Sequence, residues 1–273
     1  MRRAGIVYNA ELEPAARCSR KLFERISSRC EAWLRPSGDE EGIRREAEGT
    51  DLVFVVGGDG TIIRAARLLS SYEAPVLGVN VGHLGFIAEL DPEGLFGRLE
   101  EILEGKGWIE ERSMLEVHAE RIGASILGLN DVVVARGRSC RVIRIETYID
   151  GEEFLSYTAD GLIIATATGS SAYTLAAGGP LLHPSLPDLV LTPISPHLSF
   201  DIPIVLPPDA RVDLVVRTEH EALLSVDGQL EFDLRDGDKV GVRRSARSAR
   251  FLRLDPPRRF YRRLAEKLGE GRR

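Results

Sequence analysis

Lysine, asparagine, glutamine and methionine are nearly missing from this 273-residue chain. It holds four lysines, three asparagines, one glutamine and two methionines against 32 arginines. Few thermolabile side chains and a positive charge carried almost wholly by arginine point to a heat-adapted source, although GC-rich codon use also favours arginine. Cysteine is scarce as well. Cys18, Cys30 and Cys140 are odd in number and form no C-x-x-C pair, which argues against a zinc site. Buried free thiols are the expected state, with a Cys18–Cys30 bridge as the alternative. No apolar run approaches the length of a membrane span. The opening residues 1–8 enter a short strand pattern without the apolar stretch of a signal peptide, so a cytoplasmic location is expected. The net charge of −6 favours neither nucleic acid nor an anionic membrane as partner. The basic residues 258–263 read as a solvated helix face.

What is present is concentrated in a few places. Residues 53–61 read VFVVGGDGT. A run of apolar, mostly β-branched residues stops at Gly57-Gly58-Asp59-Gly60, and Thr61 opens a helical pattern. Glycines let a backbone approach a ligand closely, and the amides at a helix start attract anions. An aspartate beside phosphate makes sense if it handles a proton or a metal, so a phosphoryl-transfer site is the first reading. The bland alternative is an aspartate that caps the following helix. The turn is neither G-x-x-x-x-G-K-[ST] nor the three-glycine dinucleotide fingerprint.

In a chain that avoids amides, those that remain carry information. Gln229 lies in Asp227-Gly228-Gln229, Asn80 in Gly78-Val79-Asn80-Val81-Gly82, and Asn130 beside Asp131. Each stands within two residues of a glycine or an acid.

The first hundred residues alternate between strand and helix patterns. Strands are expected over 4–8, 32–34, 51–56 and 75–80, and helices over 14–28, 42–48, 61–69 and 92–103. That alternation predicts an α/β domain with a parallel sheet, whose ligands gather at the C-terminal strand ends, where the GGDG turn and Asn80 both fall. After Trp108 the pattern changes to short strands, at 115–119, 132–135, 142–149, 162–165, 211–216 and 222–226, separated by turn residues. This predicts an all-β domain. A strand at 250–254 and a helix at 260–268 close the chain and are of the kind that returns to the α/β layer. The expected division is therefore 1–107, 108–247 and 248–273.

A second motif occupies residues 160–180. Asp160 leads a strand into the loop Thr166-Ala167-Thr168-Gly169-Ser170-Ser171-Ala172-Tyr173-Thr174-Leu175-Ala176, which is rich in hydroxyls and small residues and lacks charge. Such a loop can hydrogen-bond a polyhydroxylated ligand from backbone and side chain. G-x-S-x-G is absent, which excludes a nucleophile elbow.

Together these residues resemble the NAD kinase family of the superfamily that also holds lipid kinases and phosphofructokinases. The GGDGT turn, Gly78–Phe86, Asn130-Asp131, the 160–180 stretch and Asp227-Gly228-Gln229 occur in the family's order. The resemblance implies an α/β domain followed by a β-sandwich, assembled as a homodimer or homotetramer. It implies transfer of a phosphoryl group from a nucleoside triphosphate, ATP being expected, to the adenosine ribose 2′-hydroxyl of NAD, with a divalent cation such as Mg²⁺. Asp59 matches the catalytic aspartate. Gly60 would lie by the phosphates, with Arg64 a nearby cationic contact and Asn80 at the same strand ends. Asn130 and Asp131 match the pair that holds ribose and adenine, and Arg141 stands where a basic ligand contact is common. Asp160, Thr168 and the Ser171-Ala172-Tyr173-Thr174-Leu175-Ala176 segment match the dinucleotide-binding loop, and Gln229 a further contact. Thr158 stands where a basic residue is common, and 196–200 continue into Asp201-Ile202 instead of Arg-Pro. Both departures fall on the donor side. A lipid kinase and a non-catalytic nucleotide-binding protein are the competing readings.

Overall fold

The computed structural model describes residues 1–82, 85–138, 141–197, 200–262 and 264–265. The chain divides into two compact units, Met1–Glu111 with Ala249–Arg273, and Arg112–Ser248.

The first unit alternates as β1 (Arg3–Tyr8), α1 (Glu13–Ile26), β2 (Glu31–Pro36), α2 (Glu40–Ala47), β3 (Leu52–Gly57), α3 (Asp59–Leu69), β4 (Val76–Asn80), α4 (Pro92–Gly97) and α5 (Leu99–Leu103). Its strands lie in the order β2-β1-β3-β4, all parallel, with Ile6 level with Leu34 and Phe54 and Val55 level with Gly78. Every residue of β3 is buried, as expected of a central parallel strand covered on both faces. Ala15, Cys18, Leu22 and Ile26 give α1 one apolar stripe, which meets Ile6, Phe54 and Leu77 in the core. The single helix expected over 92–103 is two short ones joined at Arg98. Gly94 and Gly97 weaken its first half, and the Arg98 guanidinium turns away to Asp255 and the Leu254 carbonyl.

The second unit contains most of β5 (Trp108–Ala119), then β6 (Ser125–Gly128), β7 (Asp131–Arg136), β8 (Ile143–Ile149), β9 (Glu152–Ala159), β10 (Gly161–Ala165), the four-residue helix α6 (Tyr173–Ala176), β11 (Leu189–Ile194), β12 (Ile204–Leu206), β13 (Arg211–Arg217), β14 (Ala222–Val226), β15 (Leu230–Leu234) and the first part of β16 (Lys239–Arg253). One sheet runs β12-β11-β10-β7-β14-β15 and is antiparallel throughout. The other pairs β16 with β13, β13 with β8 and β8 with β9. Alternate residues of both sheets, among them Val132, Val134, Leu162, Ile164, Ile145, Val212, Leu214 and Val242, fill one core, which makes this unit a β-sandwich.

The strands β6, β9, β11, β12 and β15 and the first part of β16 go beyond the sequence expectation. β9 opens with Glu152-Glu153, and β11 follows the turn-rich 181–188 and contains Pro193. β16 is a 15-residue strand of which only the apolar end, near 250–254, is visible as a strand pattern, because 243–248 are polar and largely exposed. Beyond it come a 3-10 turn at Pro257–Arg259 and helical residues at 260–262 and 264–265. The rest of the helix expected over 260–268, together with His83 and Cys140, lies outside the described residues. Cys18 and Cys30 are free thiols, and burial raises both above the usual thiol range. Among the described residues no helix is long and apolar enough to cross a membrane.

Candidate active site

In the first unit the GGDG turn lies where β3 ends and α3 begins. Gly58 is the N-cap of α3, and no side chain caps it. Asp59 is the first helical residue, so it does not play the capping role of the bland reading. Its Oδ2 instead accepts the backbone N–H of Phe86 at 2.7 Å, 27 residues further on. Its Oδ1 is buried and finds no hydrogen-bond partner among the described residues. Buried polar atoms in folded proteins are nearly always paired, so an exception calls for a functional explanation.

The segment that reaches Asp59 leaves β4 at Asn80 and doubles back. Asn80 Oδ1 accepts the Gly82 N–H at 2.8 Å, and its own N–H donates to the Leu90 carbonyl. Gly85 is pressed against the Asp59 carboxylate so closely that a Cβ there would overlap it. Asp59 and Asn80 therefore lie at the C-terminal strand ends, where Gly60 is exposed, and the partly buried Arg64 stands further along α3.

In the second unit Asn130 and Asp131 lie at the mouth of β7, and both are buried. Asn130 Oδ1 is a second buried acceptor without a partner among the described residues. The backbone that carries this pair is fixed from two sides. From one side Thr166 Oγ1 donates to the Leu129 carbonyl at 2.6 Å, the Thr166 N–H donates to the Asn130 carbonyl at 2.9 Å, and Gly169 packs against that carbonyl with no room for a side chain. From the other side the Asp227 carboxylate accepts the N–H groups of Leu129 at 2.9 Å, Asn130 at 2.7 Å and Asp131 at 3.3 Å. Asp227 returns its own N–H to the Asp131 carbonyl at 2.9 Å, and does so from a left-handed conformation, φ 55°. Burial, and then the charge of Asp227, push the Asp131 carboxyl up to about 7.

Asp227 escapes residue-by-residue reading, because an acid in Asp-Gly looks like turn chemistry. The available signal was its place directly before Gly228 and the lone glutamine. Gln229 itself is half-buried and donates its N–H to the Val226 carbonyl within the same turn.

The hydroxyl-rich loop is more internally engaged than its composition suggests. Ser170 Oγ donates to the Ala167 carbonyl at 2.6 Å and accepts the Leu182 N–H, and Ser171 Oγ donates to the Thr168 carbonyl. Thr168 and Thr174 are buried, Leu175 is partly buried, and Ala172, Tyr173 and Ala176 face outward. Asp160 is engaged by Arg136, whose Nε donates to its Oδ1 at 2.6 Å, so the nearest cation comes from a neighbouring strand and not from position 158. Arg141 is exposed and contacts His220 at 3.1 Å.

Residues 8–107 match the ATP-NAD kinase N-terminal domain, and residues 129–254 match the ATP-NAD kinase C-terminal domain. The chain belongs to the NAD kinase family. The NAD kinase of Dehalococcoides mccartyi strain CBDB1 is 42% identical over 272 residues, 98% of this chain and 96% of that one. The NAD kinase of Chloroflexus aggregans is 39% identical, covering 98% of this chain and 99% of its own. Among solved structures, yeast NADH kinase complexed with NADH superposes with a TM-score of 0.83 at 27% identity, covering 98% of this chain and 88% of that one. An NAD kinase from Archaeoglobus fulgidus in complex with ATP gives 0.78 at 26% identity, covering 97% and 98%. As a member of the NAD kinase family the chain is a phosphotransferase, and the lipid-kinase reading falls behind.

Among the described residues no group of three or more His, Cys, Asp or Glu side chains is placed to hold a metal. A divalent cation that keeps most of its waters and binds through substrate phosphates needs no such cage.

Proposed function

We propose that the protein phosphorylates NAD at the 2′-hydroxyl of its adenosine ribose, with a nucleoside triphosphate as donor and Asp59 as general base. The observation that carries this reading is the Asp59 carboxylate, with Oδ2 tied to the Phe86 N–H and Oδ1 buried and unpaired at a glycine turn. A ribose hydroxyl is a poor nucleophile at neutral pH. As its oxygen attacks the γ-phosphorus, the O–H proton passes to Asp59 Oδ1, the bond from the γ-phosphorus to the bridging oxygen breaks, and the nucleoside diphosphate leaves. The side-chain-free Gly58 and Gly60 and the first amides of α3 suit close approach of phosphate. A divalent cation carried on the donor phosphates would neutralise charge there and leave Asp59 Oδ1 to take the proton. Asn130 Oδ1 suits an adenine or ribose donor group, Asp131 a hydroxyl, and Gln229 and the 168–176 loop the remaining dinucleotide contacts.

Positioned proton removal contributes about two to four orders of magnitude in rate. Asp59→Asn should therefore lose turnover on that scale while NAD binding, read by calorimetry, persists. Turnover near the wild-type value would overturn the base assignment. A matrix of donors (ATP, other triphosphates, polyphosphate) against NAD and NADH, run at elevated temperature, identifies the substrates. The family likeness also supports a homodimer or homotetramer, to be measured by light scattering.

A further inference from the structure

Arg253, at the end of β16, is a buried guanidinium that meets two acids, and the phosphoryl-transfer reading does not use it. Its side chain is 7% exposed and its partner Glu89 1%. Its Nε donates to Glu110 at 2.7 Å, while Nη1 donates both to Glu89 at 3.2 Å and to the Ile87 carbonyl at 2.8 Å. Glu89 completes the clamp by accepting the N–H groups of Leu254 at 3.0 Å and Asp255 at 3.1 Å. The Phe251 ring lies 5.0 Å from the guanidinium. All of these residues belong to the first unit.

Ile87 follows Phe86, whose N–H donates to Asp59 Oδ2. A carbonyl fixed at residue 87 and an N–H fixed at residue 86 leave the intervening peptide little freedom. We propose that Arg253, with Glu89, is a positioning pair for Asp59: it holds the segment 85–89 so that the Phe86 N–H meets one carboxylate oxygen and leaves the other for the substrate. This rests on Asp59 being the base. An apolar pair could fill the same space at no loss of stability, since buried ion pairs often do no better than a hydrophobic substitute. Only an ion pair with a free guanidinium N–H can also grip the Ile87 carbonyl. Lysine keeps the charge but not the planar fork that serves three acceptors at once.

The test uses the full-length enzyme with the variants Arg253→Lys, Arg253→Met/Glu89→Met and Asp59→Asn. The double variant removes Arg253 together with its more buried partner, and leaves behind only Glu110, whose side chain has some access to water. Both Arg253 variants should fold, keep KM for NAD and ATP within about threefold, and lose about ten- to hundredfold in kcat, the cost of a small misplacement remote from the chemistry. Amide exchange of the peptide spanning 85–90 should accelerate while exchange in β1 and β3 is unchanged. Wild-type kcat in a folded Arg253 variant, or unaltered exchange at 85–90, overturns the positioning role. If Asp59→Asn is fully active, the base reading fails instead, so the two failures are distinguishable.

Discussion

Replacing Asp227 tests how the second unit holds the 129–131 backbone. Its carboxylate accepts two short N–H bonds, from Leu129 at 2.9 Å and Asn130 at 2.7 Å, and a longer one from Asp131 at 3.3 Å. A hydrogen bond to a charged group contributes about 1.5–3 kcal/mol, and a non-glycine residue other than Asn or Asp pays about 1–2 kcal/mol in the left-handed region. Asp227→Ala would therefore cost about 4–8 kcal/mol, a large part of the roughly 5–15 kcal/mol that stabilises a typical domain. Asp227→Asn is the more informative change. Asparagine tolerates φ 55° and keeps one acceptor oxygen, so the loss is that of charge assistance, about 1–2 kcal/mol. Urea unfolding followed by circular dichroism reads the stability. KM for NAD should rise about tenfold if a comparable energy is lost in placing Asn130. A wild-type urea midpoint together with a wild-type KM in the Asn variant would refute the argument that this carboxylate organises the 129–131 backbone.

Three further outcomes follow from the same geometry. Gly85→Ala forces a Cβ onto the Asp59 carboxylate, so turnover should fall by about tenfold or more with little change in melting temperature; an unchanged kcat would show that the carboxylate has room to move aside. Gly169→Ala drives a Cβ into the Asn130 carbonyl, a backbone atom that cannot rotate away, and should cost about 1–3 kcal/mol of stability in thermal unfolding. Asp131, pushed up to about 7 by burial and then by Asp227, is an acid whose folded state holds its proton more tightly than the unfolded chain. Its contribution is most favourable below about pH 4 and is lost as the pH rises towards 7, by about 4 kcal/mol in all. The stability difference between Asp131→Asn and wild type should therefore grow in favour of the variant across that range, and a flat difference would refute the shift. In Asp227→Asn the Asp131 titration should move down only part of the way, because burial, the larger cause, remains.

The alternating first unit was legible because β3 is a run of buried β-branched residues and α1 carries a regular apolar stripe. The β-sandwich was legible only where a strand was apolar or clearly alternating. β9 and the first half of β16 present polar residues outward, and their assignment depends on partners far away in the sequence. The same division runs through the site. Asp59 announced itself, because an acid between glycines after a buried strand conflicts with its surroundings. Asp227, Arg253 and Glu89 did not, because their chemistry is done on backbone groups distant in sequence, 98, 166 and 165 residues away at Leu129, Ile87 and Leu254.

That difference bears on how the hydroxyl-rich loop should be understood. Its composition suggested a surface of side-chain donors for a polyhydroxylated ligand. Yet Thr166, Ser170 and Ser171 direct their hydroxyls to carbonyls at 129, 167 and 168. The loop's small residues then have a different purpose: Gly169 can approach the Asn130 carbonyl only because it lacks a side chain. Loop and Asp227 therefore converge on one short backbone segment from opposite sides, and the groups left over there are the Asn130 amide oxygen and the Asp131 carboxyl. Selectivity for the dinucleotide should accordingly be more sensitive to changes that shift residues 129–131 than to removal of any single loop hydroxyl. Ser171→Ala, which loses only a bond to the Thr168 carbonyl, should change KM for NAD by less than about threefold. A tenfold rise in that variant would return the loop hydroxyls to direct ligand contact.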